Sequence, residues 1–430
     1  MTTTFTPRRW TVTLHFGRSL RPLIFAMLSM SLFPSAIAAP FTPKSDTEVV
    51  ERLPLATDPS ARRVESLRRQ LASRPDDAAL RVDIASRYFD LAMAQGDPRL
   101  VGYAAATLAP LAPKASTSQA NQATQADQAP ADYWLVLGKL QQFSHRFDEA
   151  LASLAKAHAL EPASAAPLAW RAAIFMVQAR YPEALAECAR LAPLAEPLLG
   201  QGCKAYAQAS SGQLEAAYND LTRAVHVALQ PAPGAAPPSP ELLLWQYTRL
   251  AEMAQRMGQQ AVAEKYFEKA LALQVTDQFL LGAYADFLLL VGRPGDVLKL
   301  LAEWERSDIL LLRLALAGQA AKDKRFDAWR RDLRERFAAA AARGDRLHEL
   351  EAARFALDID NKPADALALA ADNYQHQKEP RDAAMLMRAA LAAGKPQAAQ
   401  PALDWLRSSR FEDPDLTALA GKLAALGAKR

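Results

Sequence analysis

A small apolar residue returns at steps of 33 or 34 positions, with one longer step, along the middle of this chain. Ala150 is followed by Ala184, then by Ala217, Ala263 and Val297. The segments carrying the last three begin in the same way, Gly212-Gln213, Gly258-Gln259 and Gly292-Arg293. A fixed period of this length means one supersecondary unit stacked on copies of itself. The single long step, from Ala217 to Ala263, contains the proline-rich run QPAPGAAPPSP, which reads as a loop inserted between units over 229–240. About a fifth of the 430 residues are alanine, and Val, Ile and Thr are scarce. Alanine is the best helix former and β-branched residues favour strands, so the unit is helical.

The 131–164 unit gives the pattern in full: Trp134, Leu137, Gly138, Ala150, Leu154, Ala157 and Pro162. Gly138, Ala150 and Ala157 are small where two antiparallel helices must approach. Trp134, Leu137 and Leu154 fill the space between them, and Pro162 stops the second helix. This spacing resembles the tetratricopeptide repeat, with Gln141 where that family has Tyr and Leu154 where it has Phe. The resemblance implies an all-α, right-handed superhelical solenoid of antiparallel helix pairs. Its regular part spans 131–298, and 39–113 holds N-terminal helices with one irregular unit. Residues 299–430 hold about three drifting pairs, around Ala328, Ala366 and Ala398, and a capping helix from Leu416 to Leu426. In total, about eight to nine pairs are expected. Residues 114–130 lack large apolar side chains and read as a flexible linker.

The first 38 residues read as an address. Arg8, Arg9, Arg18 and Arg21 precede an apolar run from Leu23 to Ala39, which closes on small residues at A-x-A spacing. That is the plan of a secretory signal peptide, with cleavage expected after Ala38. The apolar run is shorter than the ~20 residues of a spanning helix. No cysteine lies near the cleavage site to carry a lipid. A periplasmic chain is the expectation, with membrane contact at most peripheral.

Charge and motifs exclude several functions. The 51 Lys and Arg against 47 Asp and Glu give +4, spread evenly, which does not suit a nucleic-acid surface. No nucleophile elbow, zinc-binding helix or glycine-rich phosphate loop occurs. The histidines are scattered without ligand spacing and read as solvated helix residues, so no metal, cofactor or catalytic residue is expected. Cys188 and Cys203 fall on neighbouring helices. They either form a bridge worth about 3 kcal/mol on the chain-entropy model or stay as buried thiols.

What the resemblance implies for function is a concave face, lined by the first helix of each pair, that holds a protein or peptide. Family register places Lys139, Gln142 and Phe143 of the first regular unit there, then Met176 and Tyr206. Trp245, Thr248, Glu252 and Arg256 follow, then Phe279 and Asp286. Aromatic and arginine anchors dominate such interfaces. The expected role is an assembly or adaptor scaffold. The alternative is a structural part of a cell-envelope export or assembly machine, such as one for polysaccharide secretion, with envelope assembly proteins as partners.

Overall fold

The computed structural model describes Ser45 and residues 59–113, 129–231, 233–234 and 236–428. Residues 1–38, read above as a signal peptide, and all but the last two of 114–130, read as a linker, lie outside these. The described helices all belong to one compact unit, 56–430, and no strand occurs among the described residues.

Twenty α-helices follow one another. A single helix, α1 (Pro59–Ser73), precedes nine antiparallel pairs. The first four are α2 (Ala78–Gln95) with α3 (Pro98–Leu108), α4 (Ala131–Phe143) with α5 (Phe147–Leu160), α6 (Ala166–Val177) with α7 (Tyr181–Leu191), and α8 (Pro197–Ala209) with α9 (Leu214–Ala228). Next come α10 (Pro240–Arg256) with α11 (Gln260–Leu271), and α12 (Gln278–Leu290) with α13 (Pro294–Leu300). The last three pairs are α14 (Asp308–Ala321) with α15 (Phe326–Ala342), α16 (Glu349–Asp358) with α17 (Pro363–His376), and α18 (Pro380–Ala392) with α19 (Gln400–Ser409). A closing helix, α20 (Pro414–Ala428), covers the end.

The 34-residue register is what holds the pairs together. Ala150, Ala184, Ala217, Ala263 and Val297 are all essentially inaccessible. So are the residues one turn further along, Leu154, Cys188, Leu221, Phe267 and Leu301. At Gly138 the first helix comes so close to α5 that an added Cβ would lie 2.7 Å from Leu154 Cγ, which real packing does not tolerate. Gln141, at the family's Tyr position, is buried and accepts a 2.7 Å hydrogen bond from the Ser153 hydroxyl on α5. A polar clasp there replaces an aromatic contact.

Each turn from first to second helix needs one residue in the left-handed region. Gly212, Gly258 and Gly292 supply it at φ 82°, 74° and 74°, while His145 and Ala179 stand at the same register with φ 57° and 56°. A side chain there costs about 1–2 kcal/mol relative to glycine. Ala179→Gly is therefore expected to raise stability by about 0.5–1 kcal/mol in urea denaturation, the lost methyl contact taking back the remainder. A fall in stability would mean that packing of the half-buried Ala179 methyl outweighs its backbone strain.

The array turns back on itself. The α2–α3 turn meets α12, where Gln278 fills the space beside Gly96. Further on, the backbone N–H of Lys378 donates to Val177 O at 2.8 Å, and the Trp405 indole N–H donates to the Tyr181 hydroxyl at 3.0 Å. The α16–α20 helices have their own apolar core around Ala383, Leu386 and Trp405, distinct from the one running through α8–α16. Where the C-terminal helices meet α6–α9, the contacts named above are largely polar.

Candidate interaction groove

The inner face is built by first helices, and the C-terminal helices cover part of it. Arg256, at the end of α10, is held against them. Its guanidinium lies 3.7 Å from the centre of the Phe411 ring, and its Nε–H donates to Glu412 O at 3.0 Å. Nη2 of the same side chain donates to Ala209 O at 2.7 Å. Burial lowers the Arg256 pKa to about 10, against the pull of Asp413. Glu412 also receives the backbone N–H of Leu214, at the first residue of α9, at 2.6 Å. The groove thus already holds the short connection between α19 and α20.

A second cluster occupies the centre. The Arg249 guanidinium is sandwiched between the Tyr206 ring at 3.9 Å and the Phe279 ring at 4.8 Å. Its Nη1 donates to Glu252 Oε2 at 2.7 Å. Burial pushes the Tyr206 hydroxyl up to about 12. Asp286 on α12 bridges two arginines, accepting from Arg313 at 2.8 Å and from Arg354 at 2.7 Å. Burial opposes ionisation of Asp286, but the two guanidinium groups win and lower its pKa to about 2. Glu351 adds a looser contact to Arg313 at 3.7 Å.

The remaining predicted groove residues are placed differently. Lys139 is 13% exposed, caged between the Phe89 and Trp170 rings at 5.5 and 5.6 Å, with Asp90 3.7 Å away. Phe143 packs edge-on to the same Phe89. Thr248 is 1% exposed and spends its hydroxyl on Leu244 O, and Met176 is buried beside Phe175 and Tyr181. Gln142 and Trp245 are half-buried. The structure therefore brings Tyr206, Glu252 and Phe279 together around Arg249, and places Arg256 and Asp286 against the C-terminal helices. Lys139 and Phe143 belong to a separate cluster on α2, α4 and α6. Arg249, Arg313, Arg354 and Glu412 were missed by sequence reasoning. Arg249 sits one position past Thr248 in the family register, and the other three lie in units too irregular for register to be assigned.

Histidines scattered in sequence meet at the edge of the groove. Ser144 and His145 of the α4–α5 turn face Arg346, Glu349, Asn373 and His376 across a cavity of about 370 Å³. His145 is thus a half-buried turn residue, not the solvated helix residue expected for it. The Gln377 amide lies 2.6 Å from its Nε2, and its ring stacks on Phe147. Burial, then the neighbouring His376, His348 and Arg346, lowers its pKa to about 4, with Glu379 pulling the other way. No group of histidine, cysteine or acidic side chains among the described residues is placed to hold a metal ion.

A lowered folded-state pKa means that the unfolded chain binds the proton more readily, so this contribution is present above about pH 6.5 and lost toward pH 4. His145→Gln should therefore gain about 2 kcal/mol on wild type between pH 7.5 and pH 5. Asp382, pushed up to about 7 by burial, works in the opposite direction in both proteins, so only their difference isolates His145. Parallel urea titrations at the two pH values check it. A constant difference would refute the assignment.

Cys188 and Cys203 are joined, with Cα atoms 5.6 Å apart, tying α7 to α8. Glu187 beside them is buried and pairs with Arg171 at 2.7 Å.

The described residues form an array of paired helices in this register, with an aromatic and arginine inner face, an arrangement that resembles tetratricopeptide repeats. No protein-family model matches the chain, and no curated protein matches it either. Among solved structures it is similar to a Rap protein complexed with competence and sporulation factor, at 13% identity and TM-score 0.39, over 82% of this chain and 99% of that one. It is similar also to yeast Tom70, at 13% identity and TM-score 0.38, over 86% and 85% of the two chains. A third is the P58(IPK) TPR domain, at 14% identity and TM-score 0.22, over 81% and 98%. Likenesses this remote carry nothing further, and the class rests on the chain's own geometry.

Proposed function

We propose that this protein is a non-catalytic scaffold of the Gram-negative periplasm that holds an extended segment of a partner protein in its inner groove. The observation that carries this reading is the seating of its own Phe411-Glu412 stretch, whose ring and backbone carbonyl are taken by Arg256. A groove that grips one irregular segment through a backbone carbonyl and an aromatic ring has the chemistry to grip another. The Tyr206–Arg249–Phe279 stack provides a desolvated aromatic and arginine anchor of the type that dominates such interfaces. The apolar run before Ala38, closing on A-x-A spacing, supports export.

Photo-crosslinking from groove positions in periplasmic extract, with Phe279→Ala and Arg256→Ala for comparison, tests the groove. Loss of the same crosslinked partner in both variants is expected. Undiminished recovery in both removes the groove assignment. Fractionation that finds the full-length, unprocessed chain in the cytoplasm removes the location.

A further inference from the structure

A second groove lies at the N-terminal end of the array, apart from the inner face. The sequence of α1 is strongly one-sided: Val64 and Leu67 are buried, while Arg62, Arg63, Arg68 and Arg69 are exposed. Arg69 pairs with Glu65 at 3.1 Å. Helix α1 packs on α2, and α2 packs on α3. Residues of all three helices line a furrow with a volume of about 600 Å³.

The floor of that furrow is apolar, made by Leu71 of α1 and by Ile84 and Tyr88 of α2. Tyr103 of α3 forms one wall, 55% exposed, its ring 5.6 Å from that of Tyr88. A large aromatic side chain left this accessible beside an apolar cavity is unusual for a residue whose role is packing. The charge of the lining is all of one sign. Arg68 and Arg81 border the cavity and, among the described residues, no carboxylate does. Arg81 is fixed in place, since its Nε and Nη2 both donate to Pro75 O, at 3.1 and 2.7 Å.

A basic rim over an apolar floor selects an occupant that is anionic on one side and apolar on the other. An extended peptide meets that demand, because alternate side chains point to opposite sides. An acidic sugar chain does not, because its hydroxyls would lose hydrogen bonds against Leu71 and Ile84. We propose that this end groove binds an extended acidic segment of a partner protein, with aliphatic or aromatic side chains entering beside Tyr88 and Tyr103 and carboxylates meeting Arg68 and Arg81.

The test uses a fluorescein-labelled octapeptide of alternating aspartate and leucine, titrated with the full chain in an anisotropy assay. Arg68→Glu and Tyr103→Ala should each weaken binding by roughly tenfold. Both residues are exposed, and circular dichroism checks that each variant keeps its helices. Affinity should fall as salt rises, because the contacts on the rim are screened. A lysine–leucine octapeptide should not bind. Arg223→Glu, exposed on α9, and Phe279→Ala, in the inner groove, should leave the affinity unchanged, which separates this site from the inner one. Equal affinity in both end-groove variants, or equal binding of the lysine peptide, overturns the proposal. Binding of a polygalacturonate oligomer in place of the aspartate peptide overturns it as well.

Discussion

Replacing Asp286 with alanine is expected to destabilise the protein by about 3–5 kcal/mol, the largest effect of any single exposed or half-buried position in the groove. Its carboxylate takes one hydrogen bond from Arg313 and another from Arg354, which lie on two successive first helices. The Arg313 side chain is only 7% exposed. Removing the anion leaves that guanidinium enclosed, with Glu351 as its remaining acidic neighbour at 3.7 Å. The cost comes from stranding a charge, which exceeds the net worth of the pair itself. A double variant, Asp286→Ala with Arg313→Met, should recover part of the loss, because the enclosed guanidinium is gone while Glu351 loses only its looser 3.7 Å contact. Native-state hydrogen exchange over α12–α16 reads both effects. A loss below about 1 kcal/mol would mean that solvent reaches Arg313 and satisfies it.

Breaking the disulfide comes next. Cys188 and Cys203 are 15 residues apart, and a closed loop of that size restricts the unfolded chain by about 3 kcal/mol. Cys203→Ser should lower stability by about that amount. Reductant should lower wild type to the same level and leave the variant unmoved. Both cysteines are buried, so the serine hydroxyl adds a small cost of its own. Equal denaturation curves with and without reductant would show that the bridge contributes nothing to stability.

The two effects act at different ranges. The disulfide joins neighbouring helices within the regular array, and its geometry follows from stacking one unit on the next. The Asp286 triad joins α12, α14 and α16, and Arg354 comes to it from 68 residues away. Spacing of small residues announces the first kind of contact and says nothing of the second.

The same division runs through the whole molecule. Ala150, Ala184, Ala217, Ala263 and Val297 marked the pairs, and all five are buried where second helices meet first ones. The inserted proline-rich stretch falls between α9, which ends at Ala228, and α10, which begins at Pro240. These features were legible because each depends on contacts within about 34 residues. Lys139 was legible as a first-helix residue, but its cage of Phe89 and Trp170 was not, because Phe89 lies in the irregular first unit. Arg256 was placed on the inner face from sequence, yet its neighbours Phe411 and Glu412 come from the far end of the chain. His145 and Gln377 meet across 232 residues.

Sequence alone determined that this chain is a stack of helical pairs, where each pair turns, and which small residues let the helices touch. Tertiary structure alone decided how far the stack winds, and hence which part of the inner face meets the chain's own C-terminal helices and which charges are enclosed there. The reason is physical. The pairing of two helices is set by the side chains between them, whereas the winding of the array sums small rotations over nine pairs. No single residue carries that sum, so no motif could announce where the ends of the array would meet its middle.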